Sequence, residues 1–512
     1  MDEATVTKRP HGAEHLRTDD LRAELGARTT RGGVVTMASQ GLRFAIMLLG
    51  TAVLGRLLTP QDYGLVGMVA IVMGFVALFK DLGLASAIIQ REELTQREVS
   101  TLFWLNLCFS VGVALVTAAA APLVAWFFGE PRLTAVTVAY AAGFVFGGLA
   151  VQPEALLRRR MRFAALAGAN VAAVVVNIGS TVLLAWLGFG YWALVYGQLA
   201  MGASYAVCLW GVCGWRPGRP GRLSEVRALL AFGRDLTGFT VVNYFARNLD
   251  NLLIGRVWGA VPLGFYAKAY QLLLLPLDQV NEPITGVAVP ALSRLNDDPE
   301  RYRRAYLRLL EKVAMMTMPL MAFMIACSDW IVRVVLGPQW GETARIFTLL
   351  GISGLFQPIA NTTGWLFISQ GRARHFVQWG LVGGFISVAA IVAGLPWGPV
   401  GVAASYSLAR VLVFDPLLYW WVGREGPVRM LDFYRTILPA AAASGCVLAA
   451  LYGFRQWALF ESPVSQLAAA AVVAGAVAVP VLLVIPAGRR ALHDAGKVLL
   501  ILKPGRSAPA RG

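Results

Sequence analysis

Apolar runs of about 20 residues recur along nearly the whole chain, with short polar segments between them. A helix rising about 1.5 Å per residue needs about 20 such residues to cross the hydrocarbon core of a bilayer. The pattern predicts fourteen spans, at about 33–58, 62–88, 98–121, 133–153, 163–187, 190–212, 235–257, 262–292, 308–332, 343–369, 376–394, 398–421, 434–453 and 465–486. The fold class it implies is an all-α polytopic membrane protein. Composition agrees: 57% of residues are hydrophobic and 14% charged, too little charge for the surface of a water-soluble chain of 512 residues. Residues 1–31 are polar and contain no apolar stretch of the kind found in a cleaved signal, so the first span is expected to serve as its own insertion signal.

The polar segments alternate in charge. Those after odd-numbered spans ("LTPQ", "GEPR", "GFG", "GAVP", "GPQWGE", "LPWGP") carry little. Those after even-numbered spans ("QREELTQRE", "RRRMR", "RPGRPGRLSEVR", "SRLNDDPERYRRAYLR", "GRARH", "GREGPVR") are basic, as are both tails. About 34 of the 45 lysines and arginines fall on this one side. Cytoplasmic loops carry such an excess, so both termini are expected in the cytoplasm and the chain in the inner or plasma membrane. The net charge of +16 is therefore a topology signal, and no nucleic-acid partner is expected. The five cysteines lie in or beside apolar runs without ligand-like spacing. The four histidines lie in tails or a loop. Neither a metal site nor a nucleophile–histidine pair can be assembled from them, and no enzyme activity, cofactor or metal is expected.

The Pro-, Gly- and Arg-rich segment 213–227 separates the first six spans from the rest. Across it, "LGRLLTPQDYG" (54–64) is echoed by "IGRVWGAVPLG" (254–264), with Gly55, Arg56 and Gly64 recurring as Gly255, Arg256 and Gly264. The shift pairs span one with span seven and gives two six-span halves of like orientation, hence parallel repeats with a shared cavity. The expected organisation is a cytoplasmic tail (1–31), a six-helix bundle (32–213), a linker (214–234), a second six-helix bundle (235–422), an added two-helix hairpin (423–487) and a cytoplasmic tail (488–512).

Polar residues inside the spans are the candidate chemistry. At about 100° per residue, Asn243, Arg247, Asp250 and Asn251 share one face of span seven. Thr36, Gln40 and Arg43 line up on span one, and Gln271, Asp278 and Glu282 on span eight. Span twelve carries Arg410. A charge at mid-bilayer costs about 2.5 kcal/mol or more, so these residues are expected to face a polar interior. They line a water-filled cavity or form internal pairs such as Arg247 with Asp250. Arg56, Arg256, Lys268, Arg333 and Arg345 are interface anchors or ligands. "RRRMRF" (158–163) is a topology anchor or a phosphate clamp.

"LGRLLTPQDYGLVGMVAIVMGFVALFKDLGLASAIIQ" (54–90), "LLRRRMRFAALA" (156–167) and "RNLDNLLIGRVWGAVPLGFYAKAYQLLLLPLDQV" (247–280) resemble the polysaccharide transport family of lipid-linked oligosaccharide flippases. This family lies within the multidrug/oligosaccharidyl-lipid/polysaccharide (MOP) superfamily, and the resemblance covers about residues 30–420. It implies a V-shaped pair of six-helix bundles and alternating access. It also implies flipping of an undecaprenyl-pyrophosphate-type sugar carrier to the outer leaflet, with a polysaccharide polymerase and glycosyltransferases as possible partners. Arg43, Arg247, Asn243, Asn251, Gln40 and Arg410 are then the expected pyrophosphate-binding set, and Asp278, Glu282 and Asp250 the candidates for ion coupling. A small-molecule antiporter and a non-transporting scaffold for glycan-assembly enzymes are the alternatives. Intramembrane arginines favour an anionic lipid over the mostly cationic substrates of drug exporters, and a scaffold needs no polar interior.

The charge pattern makes a topology test. In a cysteine-free background, a membrane-impermeant thiol reagent applied to intact cells should label Trp397→Cys and spare Pro220→Cys; labelling at 220 would reverse the orientation.

Overall fold

The computed structural model describes residues 25–80, 94–221, 237–457, 462–484 and 489. Most of the two tails, the second half of the linker and "KDLG" beyond Lys80 lie outside them, as do the side chains of Thr36, Asn243, Asp278 and Glu282. The described chain is helical throughout, and a helix overlaps each stretch assigned from the sequence. Eleven described segments are long and apolar enough to cross a membrane, one of them, Ala373–Gly423, running through three consecutive α-helices and a π turn. The chain forms two compact units, Met1–Gly264 and Phe265–Gly512.

The first unit contains α1 (Leu25–Leu57), α2 (Pro60–Lys80), α3 (Gln96–Ala119), α4 (Ala121–Phe128), α5 (Leu133–Arg159), α6 (Phe163–Trp186), α7 (Tyr191–Cys213) and α8 (Thr237–Trp258), with the first turn of α9 (Ala260–Ser293). Helix starts are satisfied locally. Asp62 accepts from the backbone N–H of Thr59 (2.9 Å) and Thr59 Oγ1 accepts from that of Asp62 (3.3 Å), a capping box for α2. Thr95 and Glu98 repeat the device at α3. The linker begins as an ordered strap across α3: Trp215 donates to Gln96 Oε1 (2.8 Å), and the N–H groups of Gly218 and Gly221 reach the hydroxyls of Ser100 (2.9 Å) and Thr101 (2.7 Å). Trp215 is 1% exposed and packs edge-on against Phe103, which anchors the strap in the core of this unit.

A close backbone-to-backbone approach joins the first turns of α2 and α9. A Cβ on Gly64 would lie 1.8 Å from the carbonyl oxygen of Ala260, and one on Gly264 would lie 1.9 Å from that of Pro60. The contact is reciprocal: each glycine is four residues into its helix and meets the carbonyl of the other helix's first residue. The positions involved, 60 with 260 and 64 with 264, carry the same shift of 200 as the sequence echo. Backbone-to-backbone contact of this kind requires that no side chain intervene.

The second unit contains the rest of α9, then α10 (Pro299–Ala326), α11 (Ser328–Val335), α12 (Gly341–Ser369), α13 (Ala373–Gly394), α14 (Gly398–Ala409), a π turn (Arg410–Phe414), α15 (Asp415–Gly423), α16 (Met430–Trp457) and α17 (Pro463–Val484). Its largest core cluster is aromatic: Tyr419 stacks on Phe433 (4.6 Å), and Tyr306 meets the same ring edge-on. The buried hydroxyls of Tyr302 and Tyr306 are paired with Ser369 (2.6 Å) and Thr362 (2.7 Å) on α12. The hairpin α16–α17 is fastened to this unit by two ion pairs. Arg303 clasps Asp432 in a bidentate pair at the start of α16. Near its end Arg455 clasps Asp329 (2.8 Å for both bonds) and also reaches the carbonyl of Ala326, where α10 breaks into α11.

The glycine crossing leaves no room for a methyl group. Gly64→Ala should lower the melting temperature of the detergent-solubilised protein, at the cost of about 1–3 kcal/mol typical of overpacking. Gly168→Ala, where nothing lies within 4 Å of the added atom, should not. Equal melting temperatures for the two variants would show that the crossing yields without strain.

Candidate functional site

The polar face of α8 is positioned by aromatic packing one turn away. Tyr244 donates its hydroxyl to the carbonyl of Ile71 on α2 (2.6 Å), and Phe245 packs on Phe75 (5.0 Å between centroids). Gly74 makes room for the Tyr244 ring: a Cβ there would lie 2.3 Å from the phenol oxygen. With α8 held, Asp250 is buried, and its Oδ1 accepts from the backbone N–H of Asn251 (2.8 Å) and from its Nδ2 (3.4 Å). The carbonyl oxygen of the Asn251 side chain is itself buried and accepts no hydrogen bond. Arg247, one turn before Asp250, is exposed, and among the described residues it is not paired with a carboxylate. Asn248 turns back on its own helix, donating to the carbonyl of Tyr244 (2.9 Å).

Gln40 and Arg43 are exposed on α1, which packs against α6 where Gly50 receives Ile178. Both belong to the same unit as Arg247, but among the described residues no hydrogen bond or ion pair joins them to it. The side chains of Asn243, Asp278 and Glu282 lie outside the described residues. The structure therefore groups Arg247, Asp250 and Asn251 on one helix and leaves Arg43 and Gln40 on another.

Arg410 lies in the second unit and is far more enclosed. Its Nε is 3.7 Å from Oδ1 of Asp415, with the two side chains 11% and 4% exposed. Nη1 donates to the hydroxyl of Tyr406 (3.3 Å), and the guanidinium lies over the Phe414 ring, 4.9 Å from its centroid. The local backbone explains the pairing. Pro416 has no N–H to give Leu412, and its ring would crowd that carbonyl in a regular helix. The chain responds with a π turn, in which the N–H of Asp415 donates to the carbonyl of Arg410 five residues back. In an α-helix residues five apart diverge by about 140°; widening the turn brings the two side chains together. Asp415 was absent from the candidate set because the regular helical period assigns it to another face. The signal in the sequence was the proline after it.

Several other arginines have structural partners. Arg56 donates to the carbonyl of Ala52 (2.8 Å) at the end of α1, and Arg256 lies over Phe127 (5.8 Å) at the end of α8. In "RRRMRF", Arg158 pairs with Glu154 (2.7 Å) and Arg162 donates to the carbonyl of Val212 (3.1 Å). Lys268 is buried and donates to Gln271 (3.0 Å). In the turn before α5, Arg132 hydrogen-bonds Glu130 (2.8 Å) and holds its carboxyl below the usual range. Among the described residues no group of three potential metal ligands occurs.

Comparison with known proteins gives these residues a context. The family described as "Polysaccharide biosynthesis protein" matches residues 53–345, more than half the chain, and the chain belongs to it. It is 27% identical over 373 residues to the lipopolysaccharide biosynthesis protein WzxC of Escherichia coli K12, covering 71% of this chain and 75% of the relative. It is 26% identical to the teichuronic acid biosynthesis protein TuaB of Bacillus subtilis, covering 65% and 70%. It is also 26% identical to the succinoglycan biosynthesis transport protein ExoT of Rhizobium meliloti, covering 74% and 76%. Among solved structures, the lipid II flippase MurJ in an inward closed conformation matches 91% of this chain and all of its own at a TM-score of 0.69 and 11% identity. An inward-facing multidrug resistance transporter of the MATE family matches 82% and 99% at 0.57 and 14%. The fold is that of the MOP superfamily transporters.

Proposed function

We propose that this protein flips a polyprenyl-pyrophosphate-linked oligosaccharide from the cytoplasmic to the outer leaflet by alternating access, supplying units for polysaccharide assembly. The observation that carries this reading is Arg247: a guanidinium on the polar face of α8, exposed and without a carboxylate partner among the described residues. Such a charge calls for a counter-ion from outside the protein, and a pyrophosphate offers oxygens that a planar guanidinium binds in pairs. Asp250 and Asn251 hold each other on the same face, so they stiffen the helix beneath Arg247. Arg43 and Gln40, exposed on α1 in the same unit, are the next contacts in this scheme.

The fold alone does not choose between substrates, since flippases and drug exporters share it. Charge does: a cavity built around arginines disfavours the cations typical of drug export. The relatives named for polysaccharide biosynthesis support the same choice. The basic loops on one side support an inner-membrane location with both termini in the cytoplasm, and in this scheme the flipped unit passes to a polymerase acting on material that glycosyltransferases built. The protein acts as a carrier and makes or breaks no covalent bond.

Flipping in proteoliposomes, read by enzymatic access to a fluorescent pyrophosphate-linked sugar lipid, tests the role of Arg247. Arg247→Ala should lose about tenfold or more of the rate, the scale of one charge-assisted hydrogen bond to a charged group. Arg247→Lys, which keeps the charge and loses the fork, should fall between. Full activity in Arg247→Ala at equal reconstitution would remove Arg247 from the substrate path.

A further inference from the structure

Among the described residues, Arg410 and Asp415 form the most deeply buried ion pair, and it is an incomplete one. At 3.7 Å the guanidinium offsets the carboxylate's charge without supplying a hydrogen bond. Neither Asp415 oxygen has a hydrogen-bond partner, nor has Arg410 Nε. The hydroxyl of Tyr419, one turn beyond Asp415, is also buried and unpartnered. Beside the pair lies a cavity of about 10 Å³, lined by Ser387, Tyr406, Arg410 and Phe414 and large enough for one water molecule. A buried carboxylate that accepts no hydrogen bond is expensive, because desolvation costs it its water partners and nothing replaces them. Either a proton on the carboxylate or a closer approach of its neighbours relieves that cost.

The surroundings leave few other groups to respond. Tyr406 on the same helix and Tyr270 from α9 face Arg410. Tyr419 on α15 and Tyr434 from α16 face Asp415, and Tyr306 from α10 faces Tyr419. All are phenols, so among the described residues Arg410 is the charged group facing Asp415. The π turn supplies the moving part. It holds the two side chains together by an i-to-i+5 backbone bond, and such single turns are local insertions in an otherwise regular helix, frequent at functional sites.

We infer that Asp415 is a proton-binding site of the transport cycle, with Arg410 as its counter-ion and the π turn as the element that responds to its occupancy. A proton from water on one side of the membrane adds to the carboxylate, and the acid later releases it to water on the other. No other bond is made or broken. Uptake takes the pair from net zero charge to +1, so the helix carries one more positive charge while Arg410 stays enclosed. This links the proton to an anionic lipid headgroup and rests on the pyrophosphate-lipid reading above.

Two measurements on the full-length protein separate this inference from that reading. In detergent, infrared difference spectra between acidic and neutral buffer should show a protonated-carboxyl C=O band. The band should vanish in Asp415→Asn and shift in Asp415→Glu, which keeps an acid even where the asparagine variant folds poorly. In proteoliposomes, flipping of the pyrophosphate lipid should respond to an imposed pH gradient in the wild type and lose that response in Asp415→Asn. A band that survives Asp415→Asn and is unmoved by Asp415→Glu, or a gradient response intact in Asp415→Asn, overturns the inference. An Asp415-dependent band in a wild-type protein that moves no pyrophosphate lipid supports the proton site while overturning the substrate assignment.

Discussion

Hydrocarbon offers no hydrogen bonds, and that absence governs the whole molecule. Every backbone or side-chain polar group inside the bilayer must find a partner in the chain, in a cavity or in a ligand. Most do. Thr59 with Asp62 and Thr95 with Glu98 close helix starts, and Tyr302 and Tyr306 give their hydroxyls to α12. Arg455 takes both Asp329 and the carbonyl left open where α10 breaks. Against this background the buried groups without a partner among the described residues stand out: Ser110, Thr137 and Gln152 on α3 and α5, Asn251 Oδ1 on α8, Tyr419 and Trp421 on α15, and Asp415 and Arg410 Nε around the π turn. A membrane protein keeps such groups at a cost of several kcal/mol unless some state of its working cycle satisfies them.

The same constraint explains the crossing of α2 and α9. With no water to expel between helices in lipid, close packing and direct backbone contact hold them together, and small residues permit the approach. Gly64 and Gly264 each admit the first carbonyl of the opposite helix. Glycine fixes the separation of the two first turns at this crossing. Leu263 and Met68 pack beside it around Gly255 and supply the apolar contact that the glycines do not.

Much of this was legible in the sequence. Apolar run length marked where helices lie, placing the start of span two at 62 where α2 begins at Pro60. The 200-residue echo identified Gly64 and Gly264, although it gave no hint that they touch. Arg247, Asp250 and Asn251 were found because α8 is a regular helix and the 100° rule holds along it. Asp415 was missed for the converse reason: a π turn breaks the period, and residues that a helical wheel separates become partners. Trp215 and the glycines after it read as loose linker, because hydrogen bonds from backbone N–H groups to Ser100 and Thr101 leave no pattern in residue type.

Arg247 and Arg410 look alike in the sequence, each a cation within an expected span, yet their surroundings assign them different work. Arg247 is exposed and unopposed by an acid among the described residues, so an anion reaching it displaces only solvent. Arg410 is enclosed and already neutralised by Asp415, so an anion reaching it must replace a carboxylate and bear the desolvation that pair has already undergone. Direct recognition therefore belongs to the arginine with the cheaper exchange. The enclosed pair is suited to the opposite task, in which a small change in its own charge state alters what the surrounding helix can do. A proton is the one ligand that can neutralise Asp415 without needing more room than this packing provides.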